Sequence, residues 1–489
     1  MTRSLRLRRP ALSLLCVAWL LAAAAGCGRD PLDGEPACGE LRLERPPGRI
    51  PVVLVLNDAM RRDRAGVYGG QAQTPTFDRF ARENLLFAAA FTQAPWTLPS
   101  VATLFTSLYP SQHGVDLEPG SKREARALSD SLTTMAEVFR AAGYRTAAFV
   151  SNPWMGRRFG FAQGYDTYAD SSSWSRDGVR LSEEALAWLR QQPPDAPFFL
   201  YLHYVDSHRP YPALTLEELR ANADRIRADR RPVSDALRQE LDQLISIEDG
   251  GLTGSLVERR IALVELAYEK GISSFDRAFA TFLAGFEQIP AARDAAIIVT
   301  SDHGEALYER GYGNHGQGLH DDELAIPLAA RLPGVSASTH PISCQVGLID
   351  VLPTLCDYLS LECPKVMFGR SWLRSGSGPR WLVSEGVGAQ PRHRAIRNRA
   401  WKLMWEPDQP PDGVRSNPYR LYHVAVDPGE REDLADSTLP EARRALERLE
   451  PVLHGAVPAF AGASASVAPI DPALEERLRG LGYLEDKKK

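Results

Sequence analysis

Three side chains suited to holding a cation follow directly on short, apolar, β-branched runs. Pro51-Val-Val-Leu-Val-Leu56 ends in Asn57-Asp58, and Ala295-Ala-Ile-Ile-Val-Thr300 ends in Ser301-Asp302-His303-Gly304-Glu305. Such runs read as buried, parallel strands with chemistry at their carboxyl ends. Asp58 and Asp302 are 244 residues apart in the chain, but strand ends distant in sequence converge on one edge of a parallel sheet. Two carboxylates and an imidazole meeting there suit one divalent ion, such as Ca, Mn, Mg or Zn. Taken singly, each residue also reads as a helix cap or a surface charge. A hydroxyl joins the set: Thr97, in Pro95-Trp-Thr97-Leu-Pro99-Ser100, opens the apolar helical run Val101–Leu108. The free N–H groups of a helix start favour an anion, although a lone threonine there also reads as an N-cap.

Further elements are needed to position these groups. Ala147-Ala-Phe-Val150 runs into Ser151-Asn152-Pro153, and Phe198-Phe-Leu-Tyr-Leu202 runs into His203-Tyr-Val-Asp206-Ser-His208. Helical patterns over Thr133–Ala142, Ser182–Arg190 and Phe275–Phe286 lie between strands. This alternation predicts an α/β doubly wound sheet flanked by helices, with its site along one edge. The main domain is expected over 50–365. Residues 214–260, charged and helical in pattern, read as an insertion. From 366 to 489, short strand-like pieces between Pro and Gly turns predict a small antiparallel sheet followed by a terminal helix.

The 489 residues are 44% hydrophobic and 24% charged, which is globular composition and excludes a disordered or fibrous chain. The net charge of −5 carries no basic surplus, so nucleic acid is not an expected partner. Only Pro10–Gly26 is long and apolar enough to concern a membrane, and it follows Arg3, Arg6, Arg8 and Arg9. Basic flank, apolar run and small residues describe a signal peptide over 1–26. Cys27, directly after Ala22-Ala-Ala-Ala-Gly26, resembles the lipidated cysteine of a bacterial lipobox. An exported protein is expected, tethered through residues 27–49 to an envelope membrane (the outer one in a Gram-negative cell). Cys38, Cys344, Cys356 and Cys363 form no Cys-x-x-Cys pair, so a zinc ribbon is not expected. Cys356 and Cys363 are read either as a bridge, in an oxidising compartment, or as two buried thiols.

Together the segments resemble the sulfatase family of the alkaline phosphatase superfamily. The resemblance runs from Val53–Gly69, which includes Asp58, through Thr97–Gly114, Asp206-Ser-His208-Arg-Pro-Tyr211, Thr300–Glu305 and Asn314-His315-Gly316 to Leu421–Leu434 and Leu478–Leu484. It implies an alkaline-phosphatase-like mixed sheet with a C-terminal antiparallel subdomain, and an anionic ester as substrate. It implies Asp58, Thr97, Asp302 and His303 as metal ligands, Thr97 as nucleophile, and Asn152, His208 and His315 around the substrate, the two histidines as catalytic groups.

The departures are chemical. Thr97 stands where the family carries a Cys or Ser that is oxidised to formylglycine, and Val101 stands for its arginine. The methyl on the threonine β-carbon closes the route to an aldehyde hydrate, so no formylglycine is expected. Ala59 replaces a second aspartate, and Ser151-Asn152-Pro153 replaces a Lys and His. A plain threonine ester cannot collapse to an aldehyde and must be attacked at its central atom, which phosphorus accepts more readily than sulfur does. The expectation is a metal-dependent hydrolase of sulfate or related phosphate esters. The alternatives are a phosphodiesterase or phospho-group transferase of the same superfamily, and a binding lipoprotein that has lost catalysis.

Overall fold

The computed structural model describes residue 32 and residues 39–480, except 45–47, 119–120, 122–123, 171–176, 194–195, 232, 234–259, 375–380, 388–392, 408–416 and 459–465. The expected leader, Cys27 and most of the 214–260 insertion lie outside the described residues.

A nine-stranded mixed sheet forms the centre. In chain order its strands are β1 (Val52–Asn57), β2 (Leu85–Phe91), β3 (Arg145–Val150), β4 (Thr167–Ala169), β5 (Phe198–Tyr204), β6 (Ala296–Thr300), β7 (Ala325–Ile326), β8 (Leu328–Arg331) and β9 (Ile342–Gly347). They lie in the order β7-β2-β8-β6-β1-β5-β3-β4, with β9 also paired to β2. Strands β6, β1, β5 and β3 are parallel, as expected, and β4, which the sequence reading did not single out, continues the parallel run. Strand β8 runs antiparallel to both β6 and β2, which makes the sheet mixed.

Strand β1 is buried on both faces because its alternate residues feed two different cores. Val52, Leu54 and Leu56 pack with Leu98, Val101 and Phe105 of α2 (Thr97–Thr106). Val53 and Val55 face α1 (Pro75–Glu83), α3 (Gly178–Arg190) and α4 (Arg260–Phe286). Phe275, Phe279, Phe282 and Phe286 recur at helical spacing down α4 and are all fully buried. Each contributes about 1.5–3 kcal/mol of burial. The helix starts fifteen residues before the Phe275 expected from sequence, since Ile261, Val264, Ala267 and Tyr268 extend the same buried face. Helix α5 (Val351–Leu359) follows β9, and a disulfide joins its Cys356 to Cys363.

The C-terminal part is a meander, β10 (Leu382–Glu385), β11 (Arg394–Arg397), β12 (Lys402–Trp405) and β13 (Tyr419–Tyr422), covered by α6 (Pro440–Gly455). Val383, Ile396, Leu403 and Leu421 pack there against Ala445, Leu449 and Leu453. No helix among the described residues is long and apolar enough to cross a membrane.

Candidate active site

Register brings the predicted residues together. Leu56 is level with Thr300, Asn57 with Tyr204, and Val150 with His203. The segments leaving β1, β6 and β3 therefore emerge side by side. Ala59 turns the chain after β1 at a left-handed φ of 58°, an unfavourable conformation for a residue with a Cβ. Two bonds fix this turn: the Ala59 N–H donates to Asp302 Oδ1 (3.1 Å) and the Met60 N–H to Ser301 Oγ (2.8 Å).

Ligand atoms of Asp58, Asp302 and His303 lie within 4.8 Å of one another, and all three residues are fully buried. Asp58 Oδ1 and Asp302 Oδ2 are buried with no hydrogen-bond partner among the described residues. Two such oxygens are costly unless a cation takes them. His303 Nδ1 faces the Gly304 carbonyl at 2.8 Å; a carbonyl only accepts, so Nδ1 carries the proton and the Nε2 lone pair is left for a metal. The donor set thus fits one divalent ion, as the sequence indicated.

Thr97 sits in the first turn of α2, and its hydroxyl reaches inward. Oγ1 is 3.4 Å from Asp58 Oδ2, 3.3 Å from His303 Nε2 and 3.4 Å from Asn152 Nδ2. Asn152 Nδ2 also donates to Asp58 Oδ2 at 2.5 Å, so this amide spans the nucleophile candidate and a ligand candidate. Val101, one turn further along α2, is packed into the core and presents no polar group.

His208 and His315 reach the same place. The His315 ring lies 4.4 Å from that of His303 and 5.0 Å from that of His208, centre to centre. His208 Nδ1 donates to the Arg209 carbonyl (2.7 Å). His315 Nδ1 meets Glu305 Oε2 (3.2 Å), whose other oxygen pairs with Arg209 Nε (3.2 Å). Burial pushes the His208 imidazole down to about 4, against the pull of Asp58. Burial opposes ionisation of Glu305, but His315 and Arg209 outweigh it and hold the carboxyl down to about 2. Burial and the neighbouring Asp58 charge raise Asp302, whereas the surrounding imidazoles, His208 foremost, overcome burial and lower Asp58.

Four contributors were not singled out from sequence. His203 Nε2 lies 3.1 Å from Asp58 Oδ2, and its Nδ1 meets the Tyr201 hydroxyl at 2.8 Å. Ser207 Oγ donates to the Asp58 carbonyl (2.6 Å). Glu305 and Arg209 brace His315. A polar residue inside an otherwise apolar run, as in Tyr201-Leu-His203-Tyr, was the available signal.

The fold, with an acid–imidazole cluster and a buried hydroxyl at one strand edge, is of the alkaline-phosphatase-like hydrolase type. Among solved structures, one in complex with its substrate D-glucosamine-2-N,6-O-disulfate superposes with a TM-score of 0.66 at 16% identity, covering 89% of this chain and 98% of that one. The phosphonate monoester hydrolase of Agrobacterium radiobacter gives 0.64 at 20% identity, over 83% and 95%. Arylsulfatase K of Bos taurus is 23% identical across 88% of this chain and 86% of its own length. An endo-4-O-sulfatase of Bacteroides thetaiotaomicron is 24% identical, across 64% and 67%. The family description "Sulfatase" matches residues 51–361. The chain belongs to the sulfatase family, a family of sulfuric ester hydrolases.

Proposed function

We propose that this protein hydrolyses an anionic sulfate ester through covalent attack by Thr97, with one divalent ion held by Asp58, Asp302, His303 and Thr97 itself. The observation that carries this reading is the buried Thr97 hydroxyl standing within 3.4 Å of both Asp58 and His303. When bound, the ion supplies positive charge that stabilises the threonine alkoxide and polarises the ester. Asn152 donates to Thr97 Oγ1 and steadies the charge that develops there. Thr97 attacks as the alkoxide, its proton released to solvent when the ion is taken up. As the bond from Thr97 Oγ to the central atom forms, the bond to the leaving oxygen breaks, and that oxygen takes a proton from His315. Glu305 holds His315 Nδ1 and so orients the ring. His208 enters the cycle neutral and accepts the proton of the water that releases the threonine ester. Asn152 and the two histidines also contact the bound anion.

A phosphorus ester is the second reading, and one observation favours it. Thr97 is a plain threonine, whose ester cannot collapse to an aldehyde and must be attacked at its central atom, which phosphorus accepts more readily than sulfur does. The export and lipid anchor at Cys27 belong to the same proposal, resting on the leader sequence.

Metal analysis of purified protein and its Asp302→Ala variant tests the centre. Stoichiometric divalent metal is expected in the parent and loss of it in the variant. Equal metal in both would refute the ligand assignment. A panel of aryl sulfate, phosphate monoester and phosphodiester substrates separates the two readings.

A further inference from the structure

We infer that Lys402, Glu430 and Arg310 form a buried ionic latch through which the C-terminal sheet positions His315. The inference rests on the reading of His315 as the leaving-group donor.

His315 sits midway along the connection from Glu305 to β7. That connection forms a two-residue hairpin, Ala306–Leu307 against Gly313–Asn314, and ends in a helical turn at Asp321–Leu324. Two of its non-glycine residues have positive φ, Tyr308 at 68° and Asn314, directly before His315, at 92°. Non-glycine residues keep such conformations only where their surroundings impose them. One flank borders a cavity of about 1070 Å³, lined by Arg61, Arg310, Tyr312, His320, Asp321 and Glu430 among others. Apolar packing on this side includes a small cluster of Leu319, Leu324, Met404 and Tyr422.

Charge supplies the remaining hold. Lys402 of β12, with a fully buried side chain, donates to Asp321 Oδ1 (2.8 Å) and Glu430 Oε1 (2.5 Å). Arg397 of β11 reaches Asp321 at 2.5 and 2.7 Å. Glu430, itself left-handed at φ 50°, accepts from the Asp321 N–H (2.9 Å) through Oε2. Arg310 closes the circuit on Asp322 Oδ2 (3.2 Å), the Glu430 carbonyl (3.0 Å) and the Gly429 carbonyl (3.2 Å). Both ends of the stretch 310–322 are thus tied to the C-terminal part, with His315 between them. Displacing such a group by about 1 Å can cost about a hundredfold in rate.

The test uses the full chain. Lys402→Met should lower kcat on an alkyl ester by about tenfold to a hundredfold, with a smaller rise in KM from the weakened contact of His315 with the anion. On a nitrophenyl ester, whose leaving group needs no proton, it should stay within about threefold of the parent. In a His315→Ala background the same change should have no further effect, because coupled residues are not additive. Removing one partner of a buried pair can unfold a protein, so Lys402→Met/Glu430→Gln and the part-exposed Arg310→Met provide independent variants with the same expected pattern. Equal losses on both esters, or losses that add to that of His315→Ala, overturn the latch alone. Full alkyl-ester activity in His315→Ala overturns both the latch and the donor role on which it rests.

Discussion

Thr97 decides whether the centre works by covalent catalysis. Thr97→Ala should lower turnover by about three orders of magnitude or more, because the attacking atom is removed rather than a binding contact. Thr97→Ser keeps the hydroxyl and should keep activity. Rapid quenching with a slow substrate should trap a mass increment on the peptide containing Thr97, and its size names the central atom. Wild-type hydrolysis by Thr97→Ala would instead assign the attack to water. At this scale Asp58, Asp302, His303, Thr97 and Asn152 were legible because each directly follows an apolar run or opens one. His203 and Glu305 were not, since a polar residue on a buried strand or beside a ligand looks the same whether it braces a site or only satisfies the core. Their roles depend on partners 145 and 10 residues away respectively, which only the fold supplies.

Helix α2 carries Thr97, and the next turn of chain holds that helix in place. His113 is fully buried. Its Nε2–H donates to the Pro99 carbonyl (3.1 Å), and its Nδ1 accepts from the Val115 N–H (3.0 Å). Burial pushes this imidazole down to about 3 from its ordinary 6.5, against the raising effect of the Pro99 bond. The unfolded chain therefore takes the proton first. This contribution is complete above about pH 6.5 and is lost as pH falls towards 3, at about 1.4 kcal/mol per pH unit. Denaturant unfolding between pH 4 and 7 should show His113→Gln less stable at pH 7 but with a pH slope shallower by about that amount. Parallel slopes would remove His113 from the account. The strands around this helix were readable from their β-branched runs. Strand β8 was not: Leu328-Ala-Ala-Arg331 is short and weakly apolar, and its antiparallel pairing with β6 and β2 comes from tertiary contact.

On the scale of the whole molecule, the leader is the remaining expectation. With residues 1–26 removed, four arginines and no acids are lost, taking the net charge from −5 to about −9. Expressed with its own leader, the protein should partition with membranes. Cys27→Ser should release it without blocking export, and unchanged membrane partitioning of that variant would point to another anchor.

The cluster at the sheet edge also sets an order of events during synthesis. Asp58 and Thr97 leave the ribosome early, whereas Asp302 and His303 follow only after more than half the chain has been made. A nascent chain arrested before residue 302 holds one carboxylate and a hydroxyl, too few donors to keep an ion. The strand pairing that brings β6 beside β1 has to come first. Any ion this site takes is therefore drawn from the compartment where folding finishes, so metal supply there, as much as ligand chemistry, selects what the centre holds.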